Sequence, residues 1–311
     1  MGTPDFAVPA LRAVAAACDL AAIVTQPDRP RGRGLAAAPS AVAEAALELG
    51  APVLKPEDMR AASVAGELKK LGADLFAVVA FGAILTPEVL ALPRAGCVNL
   101  HGSLLPDYRG ASPVQRALWD GRVASGVTTL WMDEGIDTGD LIAQRWVAIQ
   151  PDDDAGSLGA RLAETGAPLL AENLTAAFEG RGARVPQRKD AGSYARKLSK
   201  RDGLVDWTLD AATMWCHQRA VTPWPGATTA FRGARVRLER TSPEAMLPSG
   251  AAAGTVLGTG AYGVRVACGL GTLCISTLKP EGRATMDAAD WARGARLQAG
   301  ERFTALEENT T

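Results

Sequence analysis

Histidine is almost missing from this chain: there are two, His101 and His217. With no H-E-x-x-H or H-x-x-E-H spacing, that scarcity leaves a metal centre without a ready ligand set, and no metal is expected. The five cysteines, Cys18, Cys97, Cys216, Cys268 and Cys274, are odd in number and stand singly. Without a C-x-x-C pair they read as reduced, mostly structural thiols of a cytoplasmic protein, not as a disulfide framework or a zinc site. Long apolar runs are missing too. The nearest approach, PALRAVAAACDLAAIV, is broken by Arg12 and Asp19, so neither a membrane span nor a signal peptide is read.

Phosphate-cradling glycine patterns are also lacking. GTPDF is not G-x-G-x-x-G, and RPRGRG has no Lys-Ser/Thr ending, which argues against a bound dinucleotide and against nucleotide hydrolysis. The net charge of -1 gives no whole-protein field, but residues 188–240 hold 11 Lys/Arg against 5 Asp/Glu. A local excess of that kind can steer nucleic acid.

What the chain does have is 311 residues, 47% hydrophobic and 22% charged, which suits one large domain or, better, two. GTPDFAVPAL reads as a tight turn entering a helix that runs to about Cys18. LAAIVT is a short strand, QPDRPRGRG a Pro/Gly/Arg loop, residues 39–49 a helix, 52–55 an extended piece and 59–71 a further helix. ADLFAVVAF and GCVNL are apolar enough for central parallel strands. SPVQRALWDG follows as a helix, SGVTTLWMD and DLIAQRWVAI as extended runs, and residues 156–180 as a long helix. Strands alternating with helices predict an α/β sheet of Rossmann-like topology, with ligands beyond the carboxyl ends of its strands. After a polar, basic stretch and the helix LDAATMWCHQRAV, short strands with Gly turns predict a small antiparallel β-barrel. The divisions read are 1–184, a basic linker 185–206, and 207–311.

Candidate chemistry concentrates in VNLHGSLLPDYRG and MDEGIDTGD. Alternation along an extended segment puts Asn99 and His101 on one side of a strand end and turns Leu100 the other way. The plainer reading of His101 is a core histidine donating to a carbonyl, and that of Asp137 a turn carboxylate capping nearby amides. His217 reads as structural or RNA-facing, while Tyr108 and Arg109 are left open. Arg29, Arg31 and Arg33 alternate with Pro and Gly, either as a solvated loop or as an arm whose guanidinium forks match phosphates.

GTPDFAVPAL, VTQPDRPRGRG, ADLFAVVAFGAILTPEVL, GCVNLHGSLLPDYRGASPVQRALWDG and SGVTTLWMDEGIDTGDLI together resemble the folate-dependent formyltransferases that act on methionyl-tRNA; YARKLSKRDGLVDW and TPWPGA resemble their interdomain region and second domain. The resemblance runs over essentially the whole chain; it implies that the second-domain barrel is OB-like and that the first inner strand of 1–184, which should precede GTPDF, is missing, so that the natural translation start is expected upstream. It implies 10-formyltetrahydrofolate as donor, the α-amino group of methionine on initiator tRNA as acceptor, and Asn99, His101 and Asp137 as the catalytic trio. Gly102, Ser103, Leu104, Leu105 and Pro106 are expected to edge the folate groove, and Arg29, Arg31, Arg33, Arg196, Lys197 and Lys200 to face the tRNA. A monomer is expected. The alternative is a relative acting on a small amine, such as a purine precursor or an amino-sugar nucleotide, and a second is an RNA-binding module without catalysis.

Overall fold

The computed structural model of the chain describes residues 1–31, 36–188, 190–244 and 246–306. In chain order its first elements are α1 (Val8–Ala17), β1 (Ile23–Val24), β2 (Arg29–Arg31), β3 (Ala36–Ala38), α2 (Ala41–Leu49), β4 (Val53–Leu54), α3 (Ala62–Lys70) and β5 (Phe76–Val79). Then come α4 (Pro87–Leu90), β6 (Cys97–His101), β7 (Arg109–Gly110), α5 (Pro113–Trp119), β8 (Ala124–Trp131), β9 (Leu141–Ala148), α6 (Ala155–Phe178) and β10 (Tyr194–Ala195). The contacts group Met1–Pro113, Ala124–Ala148 and Gly159–Ala195 into one compact unit, and Val114–Val123, Ile149–Leu158 and Arg196–Thr311 into another. The boundary therefore falls inside the stretch expected as a linker: Val185 bridges Leu141 and β10 pairs with β7, whereas Leu204 bridges Thr228.

In the first unit β1 lies parallel to β4 and β5 parallel to β6, giving the Rossmann-like part. β8 then runs antiparallel to β6, and β9 antiparallel to β8, so the sheet order is β5-β6-β8-β9. Strands β5, β6 and β8 are apolar because both their faces are covered; Val98, Leu100, Val127 and Leu130 are buried. Helix starts follow their caps. Ser40 accepts the Ala43 N–H at α2, and Thr86 accepts the Val89 N–H at α4.

Met1 and Gly2 behave as the end of a strand between β1 and β5. The Met1 amine donates to the Ala77 carbonyl at 2.6 Å, the Val79 N–H to the Met1 carbonyl at 2.9 Å, and the Gly2 N–H to the Val24 carbonyl at 3.0 Å. A Cβ on Gly2 would come within 2.8 Å of that of Ala7, so this close approach requires glycine. Met1 also lines a cavity of about 650 Å³ walled by Ala10, Val14, Ile23, Phe76 and Leu170. Burial there brings the amine down to about 6.

The segment read as a Pro/Gly/Arg loop is instead a hairpin: β2 and β3 pair antiparallel, with Arg29 opposite Ala38 and Arg31 opposite Ala36. Proline at its centre obscured the strand, since it is tolerated where no ladder donor is needed.

The second unit holds α7 (Ala211–Val221), β11 (Ala227–Phe231), β12 (Ala234–Pro243), β13 (Val256–Gly260), β14 (Gly263–Ala267), β15 (Thr272–Pro280), β16 (Met286–Asp287), α8 (Ala288–Ala295) and β17 (Phe303–Thr304). Its strands form a curled antiparallel sheet of order β13-β14-β15-β12-β11-β17, with β16 on β15, in keeping with the OB-like expectation. Trp207, Phe231, Trp291 and Phe303 pack in its core, with ring centroids 5.0–6.0 Å apart along the chain of contacts.

Candidate active site

The carboxyl end of β6 carries both Asn99 and His101, and the turn between β8 and β9 carries Asp137. β8 runs antiparallel to β6 and finishes beside Val98, and the turn that follows folds back so that Asp137 meets Asn99, 38 residues earlier in sequence. The Asn99 Nδ2 donates to Asp137 Oδ1 at 3.1 Å. His101 Nδ1 lies 3.5 Å from Asp137 Oδ2, and the same oxygen accepts the Gly110 N–H at 2.8 Å. One carboxylate thus collects three partners from two segments, β6 and β7, and none of them is a local turn amide.

His101 is buried, and its other nitrogen, Nε2, faces the Tyr108 carbonyl at 2.9 Å. That geometry requires Nε2 to carry the proton, since a carbonyl only accepts. Both readings of this histidine from sequence therefore describe it: it donates to a main-chain carbonyl and also faces the expected carboxylate. Tyr108 reaches this position with φ 62°, and Asp137 with φ 55°, a left-handed backbone uncommon outside glycine.

Asp137 is held from its backbone as well. Gln187 Nε2 donates to the carbonyls of Asp137 and Gly139, each at 2.8 Å. Arg109 donates through Nε and Nη2 to Gln187 Oε1 at 3.1 and 2.8 Å, which settles the residue left open above: it packs across the turn. Sequence reading missed Gln187, which lies 50 residues from the turn it holds, outside any local pattern.

Of the residues expected at the folate groove, Ser103 is fully buried and its hydroxyl donates to the Asp107 carbonyl. Thr128 accepts the Leu105 N–H and donates to the Ser103 carbonyl, and Gln144 donates to the Leu105 carbonyl. These backbone groups stiffen the loop. Leu104 packs where a Cβ on Gly126 would stand, and Pro106 similarly against Gly192; Gly102 is buried. A hollow of about 280 Å³ opens beyond the carboxyl ends of β1, β4 and β5, lined by Gln26, Pro56, Met59, Gly82 and Ile84. Its lining was not singled out from sequence; the position beyond parallel strand ends was the available signal.

The basic residues divide. Arg29 is exposed on β2; Arg33 lies outside the described residues, as does the side chain of Arg31. Arg196 is spent on Asp202, donating from Nη1 at 2.9 Å, and this guanidinium with the Ser199 amide and hydroxyl holds the Asp202 carboxyl well below its ordinary range. Lys197 and Lys200 are exposed. His217 is buried, its Nε2 2.6 Å from the Asp202 carbonyl and its ring edge-on to Trp119; burial lowers its basicity, so it is structural. Among the described residues no group of three His, Cys, Asp or Glu could hold a metal ion, and no helix is long and apolar enough to cross a membrane.

The sequence pattern described as "Formyl transferase" matches residues 6–174, and that of "Formyl transferase, C-terminal domain" residues 197–296. Methionyl-tRNA formyltransferase of Symbiobacterium thermophilum is 43% identical over 99% of this chain and 95% of its own length. The enzyme of that name from Heliobacterium modesticaldum is 45% identical over 97% of this chain and 98% of its own. Among solved structures, an N-formyltransferase from Helicobacter canadensis, in complex with folinic acid and dTDP-3-aminofucose, aligns with a TM-score of 0.64 at 18% identity, over 88% of this chain and 96% of that one. HypX from Aquifex aeolicus, in complex with tetrahydrofolic acid, aligns with a TM-score of 0.58 at 22% identity; the match covers 82% of this chain and 44% of that longer one. At such identities the likeness is one of fold.

Proposed function

Because the chain belongs to the formyl transferase family, we propose that it transfers the formyl group of 10-formyltetrahydrofolate to the α-amino group of methionine carried on initiator tRNA. The observation that carries the reading is the convergence of Asn99, His101 and the Gly110 amide on the single carboxylate of Asp137, at the mouth of a sheet where ligands bind.

The reaction forms one C–N bond and breaks another. The neutral amine attacks the formyl carbon, its nitrogen loses a proton, and N10 leaves as it gains one. An α-amino group titrates near 8, so the attacking form is abundant without a strong base. The harder steps are stabilising the tetrahedral oxyanion and moving the proton. Asn99 spends one amide hydrogen on Asp137, which fixes its NH2 end; the other is the donor for the oxyanion. A preorganised donor of this kind is worth about 3–4 kcal/mol. His101, whose Nε2 carries the proton, turns that donor from the Tyr108 carbonyl to the developing oxyanion, while Asp137, directly or through a water, passes the proton of the attacking amine toward N10.

The donor's pterin suits the carboxyl edge of the parallel strands, where the exits of β5 and β6 are neighbours, so Gly82–Ile84 and the loop of Gly102, Ser103, Leu104, Leu105 and Pro106 share that edge. Phosphate contacts to the acceptor come from Arg29, Arg31, Arg33, Lys197 and Lys200, with the C-terminal antiparallel unit gripping the tRNA. The protein works in this reading as a cytoplasmic monomer with no metal. Formylation rates for initiator methionyl-tRNA, elongator methionyl-tRNA and small amines, an amino-sugar nucleotide included, test it. A higher kcat/KM for a small amine overturns it.

A further inference from the structure

The turn that presents Asp137 is clamped by a closed circuit of hydrogen bonds. Its carboxylate accepts the Gly110 N–H. The residue before that glycine, Arg109, grips the Gln187 side-chain oxygen with two donors, and the Gln187 NH2 returns to the carbonyls of Asp137 and Gly139. Arg109 also donates to the carbonyls of Ala191 at 3.3 Å and Arg188 at 3.4 Å, fastening the segment that carries Gln187. On its far side the turn is tied by the Thr138 hydroxyl donating to Asp133. Gly139 lies so close to β8 that a Cβ there would fall 1.9 Å from the Trp131 carbonyl oxygen, so the clamped turn admits only glycine at this place.

We propose that Gln187 is a positioning residue for formyl transfer: it holds the left-handed Asp137 backbone so that one carboxylate meets Asn99, His101 and the Gly110 amide together. This inference rests on the formyl-transfer reading above. An amide is the side chain that fits, because the site needs an acceptor toward Arg109 and two hydrogens toward two carbonyls in one planar group. Glutamate keeps the acceptor and loses both donors, and methionine keeps the volume and loses everything polar. Without the clamp, a residue at φ 55° relaxes toward the ordinary regions and swings its carboxylate out of the shared arrangement. Sub-ångström errors at such a site are costly in rate.

The full chain is compared with Gln187→Met, Gln187→Glu and Arg109→Lys for formylation of initiator methionyl-tRNA, thermal midpoint, and ring ¹⁵N shifts of His101 at fixed pH. The two histidines make that spectrum simple, and His217, in the other unit, serves as an internal reference. Both Gln187 variants are expected to lose at least tenfold in kcat, with KM for donor and tRNA within twofold of the parent. Their His101 ring signals move while those of His217 stay, and Arg109→Lys gives a smaller change of the same sign. Wild-type kcat and an unmoved His101 signal in Gln187→Met overturn the proposal, as does a loss that tracks thermal instability alone. A parent that formylates no methionyl-tRNA, with His101 signals still displaced in the variants, defeats the reading of the reaction and leaves the clamp standing.

Discussion

His101 directs Nε2 at the Tyr108 carbonyl, 2.9 Å away, and Tyr108 offers that carbonyl only because its backbone is left-handed. The pair fixes the tautomer of the imidazole and aims Nδ1 at Asp137. A local strain of about 1–3 kcal/mol is tolerable at one residue when the surroundings over-determine it, and here Ser193 accepts the Tyr108 N–H and so holds the strained residue from the other side.

Replacing Asp137 with Asn separates charge from shape. The new amide can present its oxygen to Asn99 or to Gly110, but then turns its NH2 on the other donor, so one of the two contacts fails. A kcat loss of roughly 100-fold or more is expected from a change worth about 3 kcal/mol in transition-state stabilisation. KM for both substrates should change little. Steady-state kinetics check this, and Asn99→Ala should fall in the same range.

Gly110 is required by space as well as by its N–H. At φ 103° a Cβ would meet the Tyr194 ring at 2.7 Å and the Ala195 carbonyl at 2.8 Å. Gly110→Ala should therefore part β7 from β10 and cost about 2 kcal/mol or more of stability. Urea unfolding measures the cost, and activity should fall further than stability does, because the Gly110 N–H also holds Asp137.

How much of this was legible follows residue by residue. Asn99 and His101 could be placed because period-two alternation at a strand end is a local signal, and Asp137 because its Gly-rich turn resembled a family pattern. The helices read over 39–49 and LDAATMWCHQRAV are present, and the structure adds their caps, Ser40 and Asp210. The direction of β8 and β9 was not legible, since the side-chain pattern of an extended run reads the same whichever way its neighbour points. Nor was Gln187, whose partners are 50 and 78 residues away, or the burial of His217, which depends on a ring contact with Trp119 across the chain. Local patterning encodes elements; side-chain bonds between distant segments leave no periodic trace.

Acidification should destabilise the protein in two windows. His217 is less basic folded than its ordinary 6.5, so below that pH the unfolded chain takes up the proton more readily. Stability present above about pH 6.5 is thus lost as pH falls through and below it. Asp202, held below its ordinary 3.8 chiefly by Arg196, contributes stability above that value that is lost on further acidification. Denaturant midpoints between pH 7.5 and 3 check both. The first slope should shrink in His217→Asn, which keeps an amide donor for the Asp202 carbonyl but cannot titrate near neutrality.

The basic residues near the unit boundary should separate by what they already hold. Lys197 and Lys200 are exposed, so each, if it meets a phosphate, releases about one counterion on binding. Replacing either with Ala should lower tRNA affinity and reduce the slope of log K against log salt by about 1, leaving the denaturant midpoint unchanged. Arg196 differs, because its guanidinium is engaged by Asp202 at the capped turn Lys200–Gly203. Arg196→Ala should lower stability, most visibly by weakening the acid-range contribution of Asp202, and leave the salt slope near that of the parent. Fluorescence titrations of initiator tRNA at several salt concentrations, run beside urea curves of the same variants, decide the assignment. A full unit lost from the slope in Arg196→Ala would show that the Asp202 pair opens to the RNA, and that this arginine belongs with the two lysines.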